Sequence, residues 1–296
     1  MSQTITPSKF PASLSPNIVP SVDDQENFLA DFVQETLAMT KRLFIQLQRR
    51  PSTLIAGIIQ PFMWLILFGA LFYNAPQGLF GQDLNYAKFL SPGIIVFTAF
   101  SGALNAGLPV MFDREFGFLN RLLVAPLASR YSIVAASTLY IMVLSFIQTA
   151  VIVGASAILG AGLPNLAGLG AIALIVFLIV FGVTGLSLGL AFALPGHIEL
   201  IAVIFVTNLP LLFASTALAP LSFMAQWLQV VASLNPLTYA IEPIRYIYLN
   251  GEWAFNSVVL QTPWTEVNFA GVLLLLLGFD ALILLVIQPL LRRRFA

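Results

Sequence analysis

Met111-Phe-Asp-Arg-Glu-Phe-Gly-Phe-Leu-Asn-Arg-Leu-Leu-Val-Ala-Pro-Leu-Ala-Ser-Arg130 is a charged island between two long apolar segments. Asp113, Arg114 and Glu115 stand in a row, and Arg121 and Arg130 follow. Phe112, Phe116, Leu119, Leu122 and Leu123 recur mostly at spacings of three or four, which predicts a short amphipathic helix. Pro126 should stop that helix, because proline has no N–H to donate and its ring clashes with the preceding turn. An amphipathic helix set between two membrane spans is placed to be presented to a partner.

The composition around the island belongs to a membrane. Of 296 residues, 59% are hydrophobic and 9% charged, against about 25% charged in a soluble domain. Net charge is zero, so no basic field points to nucleic acid. The chain has no cysteine, which excludes disulfides and thiolate metal sites, and its one histidine makes a histidine-based metal or catalytic cluster untenable. The first long apolar run begins near Leu54, too far in for a signal peptide.

Six apolar segments are expected to cross, at about 54–73, 89–111, 132–159, 166–194, 198–218 and 268–291. Each is near or above the roughly 20 residues that span about 30 Å of hydrocarbon. They must be helices, since lipid offers unpaired backbone groups no partner. Gly182, Gly185 and Gly189 in the fourth should let a neighbour approach closely, and Pro61 should bend the first. Ahead of the spans, residues 1–20 carry Pro7, Pro11, Pro16 and Pro20 among Ser and Thr and read as a disordered tail. Residues 21–50 read as an amphipathic helix along the membrane surface, with Phe28, Leu29, Phe32, Val33, Leu37, Phe44 and Leu47 broadly on one face. Residues 51–296 then form the six-span domain.

Lys/Arg bias sets the orientation. With both termini cytoplasmic, only Lys88 and Arg245 of the 13 basic residues lie outside. A seventh span through the run Leu221–Leu234 would put Arg292–Arg294 outside, so that run of about 14 residues reads as a re-entrant or interfacial helix. Pro236 and Pro243 should break the segment after it into two short helices that end at Asn250-Gly251.

Two motifs resemble the ABC type 2 (ABC-2) transporter permease family, in its multidrug and daunorubicin-resistance-like export branch. Asp113-Arg114-Glu115-Phe116-Gly117, followed by Leu119 to Arg130, resembles that family's loop between the second and third spans, which supplies the coupling helix. Asn235-Pro236-Leu237-Thr238-Tyr239-Ala240 with Arg245 resembles its external re-entrant segment, and Arg49-Arg50-Pro51 fits the entry to the first span. The fold so implied is an all-α integral membrane protein. It has six transmembrane helices, an N-terminal interfacial helix, a cytoplasmic coupling helix between spans two and three, and external re-entrant helices between spans five and six.

The resemblance further implies a half-transporter in a prokaryotic inner membrane. Two permease copies, identical or related, would bind two ATPase subunits, which hold the ATP and magnesium. This chain itself has no Gly-x-x-x-x-Gly-Lys-Ser/Thr loop and is expected to bind no cofactor or metal and to be no enzyme. Cargo is expected to be a hydrophobic or amphipathic small molecule or a lipid. Lipid-linked polysaccharide export within the family and an autonomous secondary transporter are the alternatives, and a membrane-embedded enzyme lacks the acid–base cluster it would need.

By the same resemblance Asp113, Arg114, Glu115, Phe116, Gly117, Leu119, Arg121 and Leu122 are the ATPase-coupling residues, with Phe116 and Leu119 the apolar contacts. Asn105 and Asn208 lie in spans that flank the path, and each either lines it or hydrogen-bonds to a neighbouring helix. Asp280, near the middle of the last span, costs about 3 kcal/mol there if ionised. It is either a substrate or proton site or a neutral packing residue facing Gln60, Gln148 or water. Asn235, Pro236, Tyr239, Glu242 and Arg245 mark the re-entrant motif, with Glu242 and Arg245 three apart and able to pair as a brace. His197 and Glu199 read as a solvated turn.

Overall fold

The computed structural model describes residues 22–72, 86–124 and 128–295; the N-terminal tail over 1–20 and Pro126 lie outside them. Eleven α-helices and one hairpin follow in order among these residues: α1 (Val22–Arg49), α2 (Ser52–Leu71), α3 (Tyr86–Leu104), α4 (Gly107–Glu115), α5 (Phe118–Leu123), α6 (Tyr131–Ser156), α7 (Leu166–Ala193), α8 (His197–Phe213), α9 (Gln226–Leu234), α10 (Pro236–Asn250), β1 (Val258–Gln261), β2 (Glu266–Asn268) and α11 (Phe269–Phe295). Five helical stretches are long and apolar enough to cross a membrane: Leu54–Leu71, Tyr86–Glu115, Tyr131–Ala161, Leu166–Ala193 and Phe269–Leu290. α8 is apolar but shorter than the fifth span expected over 198–218. At 1.5 Å per residue it reaches only about 25 Å.

α3 and α7 form the centre. Every residue of α3 from Phe89 to Phe100 is buried, and α7 packs against α3, α6 and α11. α2 lies outside, with Pro61 and Leu65 alone buried among its described side chains, and Pro61 leaves it a single helix. α11 lies along the glycine side of α7, where a Cβ on Gly182 or Gly189 would collide with Asp280 or Ile287. Small residues on α7 thus set a close helix seam, as their spacing leads one to expect.

The second span is broken. Between α3 and α4 the chain turns at Asn105–Ala106, which strands the carbonyl of Leu104 and the N–H of Gly107. One hydroxyl on α7 serves both: Ser187 Oγ donates to Leu104 O (2.6 Å) and accepts from Gly107 N (2.9 Å). Gly107 is required there, because any Cβ would strike the carbonyl of Ser187. A backbone break inside a membrane protein survives only when such groups are re-satisfied.

Three further differences from the sequence reading have local causes. The expected single amphipathic helix over Phe112–Leu123 is two pieces, because Gly117 takes φ +74° and ends α4 before α5 starts. α10 is not broken by its proline pair. Pro236 sits in its first turn, where no N–H is needed, and Pro243 forfeits only one backbone bond within the helix. The break falls at Asn235, which divides α9 from α10. The chain is also not purely helical: Val258–Gln261 and Glu266–Asn268 pair antiparallel. Their connection closes with Thr262 N donating to Thr265 O (2.9 Å) around Pro263-Trp264.

α1 is a continuous helix packed on α6 through Thr40, Leu43 and Phe44, the last in edge contact with Tyr140 (5.1 Å). Of its expected apolar face, Phe44 and Leu47 pack against the core, and Phe28, Leu29, Val33 and Leu37 remain exposed.

Candidate functional site

Successive residues of a helix point about 100° apart, so three charged residues in a row on α4 reach three different neighbours. Asp113 accepts from Arg42 Nη2 of α1 at 2.9 and 3.0 Å, and the same guanidinium stacks 3.9 Å over the Phe118 ring of α5. Arg114 donates to the carbonyls of Ala191 (2.8 Å), Leu194 (2.6 Å) and Pro195 (2.6 Å). These are the acceptors left over where α7 ends, and the end of a helix dipole favours a cation. Glu115 accepts from the backbone N–H of His197 (2.6 Å) at the start of α8, and its second oxygen meets the His197 ring. A carboxylate at a helix N-terminus is the mirror case. The aromatic ring of Phe112 lies 5.2 Å from that imidazole.

α5 is held from within and bare outside. Leu119 is 4% exposed and packs with Val110, Ile133, Leu188, Phe192, Ile283 and Ile287, with Leu122 beside it. It is therefore not the outward apolar contact expected of it. Phe116 and Val124, 80% and 86% exposed, and Arg121 form the outer surface. A second carboxylate ties this end to α1, where Glu35 accepts from Ala128 N (2.6 Å) and Ser132 Oγ (2.8 Å). The sequence reading missed Arg42, Glu35 and Ser187 and took His197 for a solvated turn. The signal for His197 was its position as the chain's lone histidine, right after Leu194-Pro195-Gly196.

Asn105 and Asn208 do come together, through Ser101. Asn105 Nδ2 donates to Ser101 O (2.7 Å), and Ser101 Oγ donates to Asn208 Oδ1 (3.1 Å), joining the break in the second span to α8. Asn105 is exposed although it lies within an apolar stretch. Asp280 belongs elsewhere. It meets neither Gln60 nor Gln148, and its carboxyl lies against Gly182 of α7.

The motif at the opposite end closes three elements onto one another. The Asn235 amide donates to Leu211 O (2.8 Å) and Ala214 O (2.7 Å) where α8 ends, while its oxygen caps α10 at Leu237 N (3.0 Å). Tyr239 OH donates to Ser233 O (2.7 Å). Arg245, 5% exposed, pairs with Glu242, donates to Phe89 O (3.2 Å) and Thr216 O, and stacks 3.9 Å over the Phe89 ring. Burial draws its pKa below the ordinary value, and Glu242 pushes it back up. The expected Glu242–Arg245 brace is present.

Residues 34–249, which hold both of these ends, match the model of the ABC-2 type transporter. The chain belongs to the ABC-2 type transporter family. The relative ycf38 of Porphyra purpurea, described as a transport permease, is 53% identical over 272 residues, which is 92% of this chain and 94% of that protein. The ycf38 protein of Cyanophora paradoxa is 53% identical over 264 residues, 89% and 91% of the two chains. DrrC of Mycobacterium tuberculosis, described as a doxorubicin resistance ABC transporter permease, is 26% identical over 267 residues, 88% and 92%. This ABC-2 chain is thus a multi-pass membrane transport subunit, of a kind that works with an ABC ATPase.

Proposed function

We propose that this ABC-2 permease is half of an ATP-driven exporter, with six spans including the short α8, both termini cytoplasmic, in a prokaryotic inner membrane. It pairs with a second permease copy and takes its energy from two copies of a separate ATPase, which hold ATP and magnesium. The carrying observation is the construction around α4 and α5: an outward surface of Phe116, Arg121 and Val124 mounted on α1, α7 and α8 by Asp113, Arg114 and Glu115. A push on α5 reaches those helices through the packing of Leu119 and the stacking of Arg42 on Phe118 as well as through the Gly117 turn. Asp113, Arg114, Glu115 and Leu119 accordingly transmit within the chain, and Phe116 and Arg121 touch the ATPase.

The cargo is hydrophobic or amphipathic, a reading supported by the drug-resistance description of DrrC at 26% identity. Asn105 and Asn208 line its path, because a polar side chain left exposed within an apolar stretch is poorly suited to face lipid. Exposed Leu29, Val33 and Leu37 support a resting place for α1 on the membrane surface.

Affinity purification of the tagged chain in mild detergent, with ATPase and vesicle transport assays, tests this. Phe116→Ala/Arg121→Ala should lose the ATPase. Glu115→Ala should keep it but hydrolyse ATP with little transport. A wild type that arrives alone and moves solutes without ATP overturns the reading in favour of a secondary transporter.

A further inference from the structure

The seam between α7 and α11 encloses an acid without a partner. Asp280 is 5% exposed, and both carboxyl oxygens are shut off from solvent with no hydrogen-bond partner among the described residues. Its Oδ1 occupies the volume a side chain at position 182 would need, so Gly182 is what gives it a seat. The next two glycines on α7, Gly185 and Gly189, receive Ile283 and Ile287 of α11, which seals the seam on that side.

Among the described residues no charge near Asp280 compensates an anion. α7 has no ionisable side chain, and Asp280 is alone of its kind in Phe269–Leu290 of α11. Glu242 and Arg245 of α10 turn to each other and to Phe89 and Thr216. That end of the molecule meets α11 where Trp253 stacks on Phe269, about 16 Å along the helix from Asp280. Lys88 and Tyr86 lie on the same end, at the start of α3. At the other end Arg114 is held at Ala191, about 13 Å along α7 from Gly182. Asp113, Glu115, His197 and Glu199 gather there too, and Tyr140 of α6 turns to Phe44 of α1.

The seat admits only the smallest ligand. A metal ion needs several donors, and among the described residues no group of three His, Cys, Asp or Glu gathers to hold one. An organic cation needs volume, which the carboxyl itself fills. We propose that Asp280 is a proton-binding site. The seam closes over the neutral acid, and when α7 and α11 part, the O–H bond breaks and the proton passes to the entering water, leaving the carboxylate hydrated.

Infrared difference spectroscopy of the full chain in lipid nanodiscs, wild type minus Asp280→Asn, tests this at neutral pH, where an ordinary aspartate is fully ionised. The expected result is the carbonyl stretch of a carboxylic acid, shifted in heavy water and missing from the variant. Its absence from folded wild type overturns the proposal. Melting gives an independent arm. A folded state that binds a proton the opened chain lets go is favoured at low pH, so the wild-type Tm should fall as pH rises from the carboxylate range to alkaline. The Asn variant should fall less over that range. Equal slopes overturn the proposal. Should Asp280→Asn fail to fold, the wild type decides alone: its acid band must be present at neutral pH and fade on alkalinisation.

Discussion

Ser187 and Arg245 do comparable work at opposite ends of the molecule. Each supplies hydrogen bonds to backbone that secondary structure leaves unpaired. Ser187→Ala removes the only partner described for Leu104 O and Gly107 N across the break, without changing shape. It should cost about 1–2 kcal/mol, seen as a lower melting temperature in detergent. Arg245→Lys keeps the charge but loses the fork that reaches Phe89, Thr216 and Glu242 together. A loss of about 1–3 kcal/mol should follow, with Glu242→Gln milder because both neutral acceptors survive. Equal melting of Arg245→Lys and wild type would show the fork to be dispensable.

Among the elements, the turn at Gly117 separates the grip, with Phe116 beside it, from Arg121 and Val124 of the outward surface. Its φ of +74° disfavours any side chain, though nothing stands within 4 Å of where a Cβ would go. Gly117→Ala should therefore cost about 1–2 kcal/mol by backbone strain alone and tilt α5, weakening ATPase capture while the α4 contacts persist. Calorimetry and co-purification separate the two effects. The long helices were legible because their apolar runs exceed any other use of such a segment. The division of α4 from α5 was not, since Phe112, Phe116 and Leu119 keep helical spacing straight across the glycine. α8 read as longer than it is because Ala214–Leu218 carries no charge to end an apolar run, and the Asn235 amide that takes up the carbonyls of Leu211 and Ala214 at its end is distant in sequence. The hairpin passed unnoticed because its strands are four and three residues long, too few for alternation to register, although Thr262-Pro263-Trp264-Thr265 carried the proline that turns favour. At the site, the residue types on α4 were visible, but their in-chain partners are 71 to 82 residues distant and no local pattern points to them.

The whole chain has two differently finished ends. One carries Arg42–Asp113, Arg114 and Glu115–His197; the other carries Asn235, Arg245 and the hairpin with Trp264 exposed at its tip. The absence of cysteine makes this directly testable. Single replacements Phe116→Cys and Val124→Cys should react with an impermeant maleimide only in inside-out vesicles, and Trp264→Cys only in right-side-out ones. Labelling of all three from one side would overturn the six-span arrangement.

Three attachments that do not lie on one line fix a rigid piece against rotation, and α4 has three, on α1, α7 and α8. Force arriving through α5 must then carry α1, the end of α7 and the start of α8 along together. Cut one attachment and two remain, which define a hinge line about which α4 can swing while its surroundings stay put. The failure is all-or-none in character: loosening any corner turns a piston into a lever with nothing on its far arm.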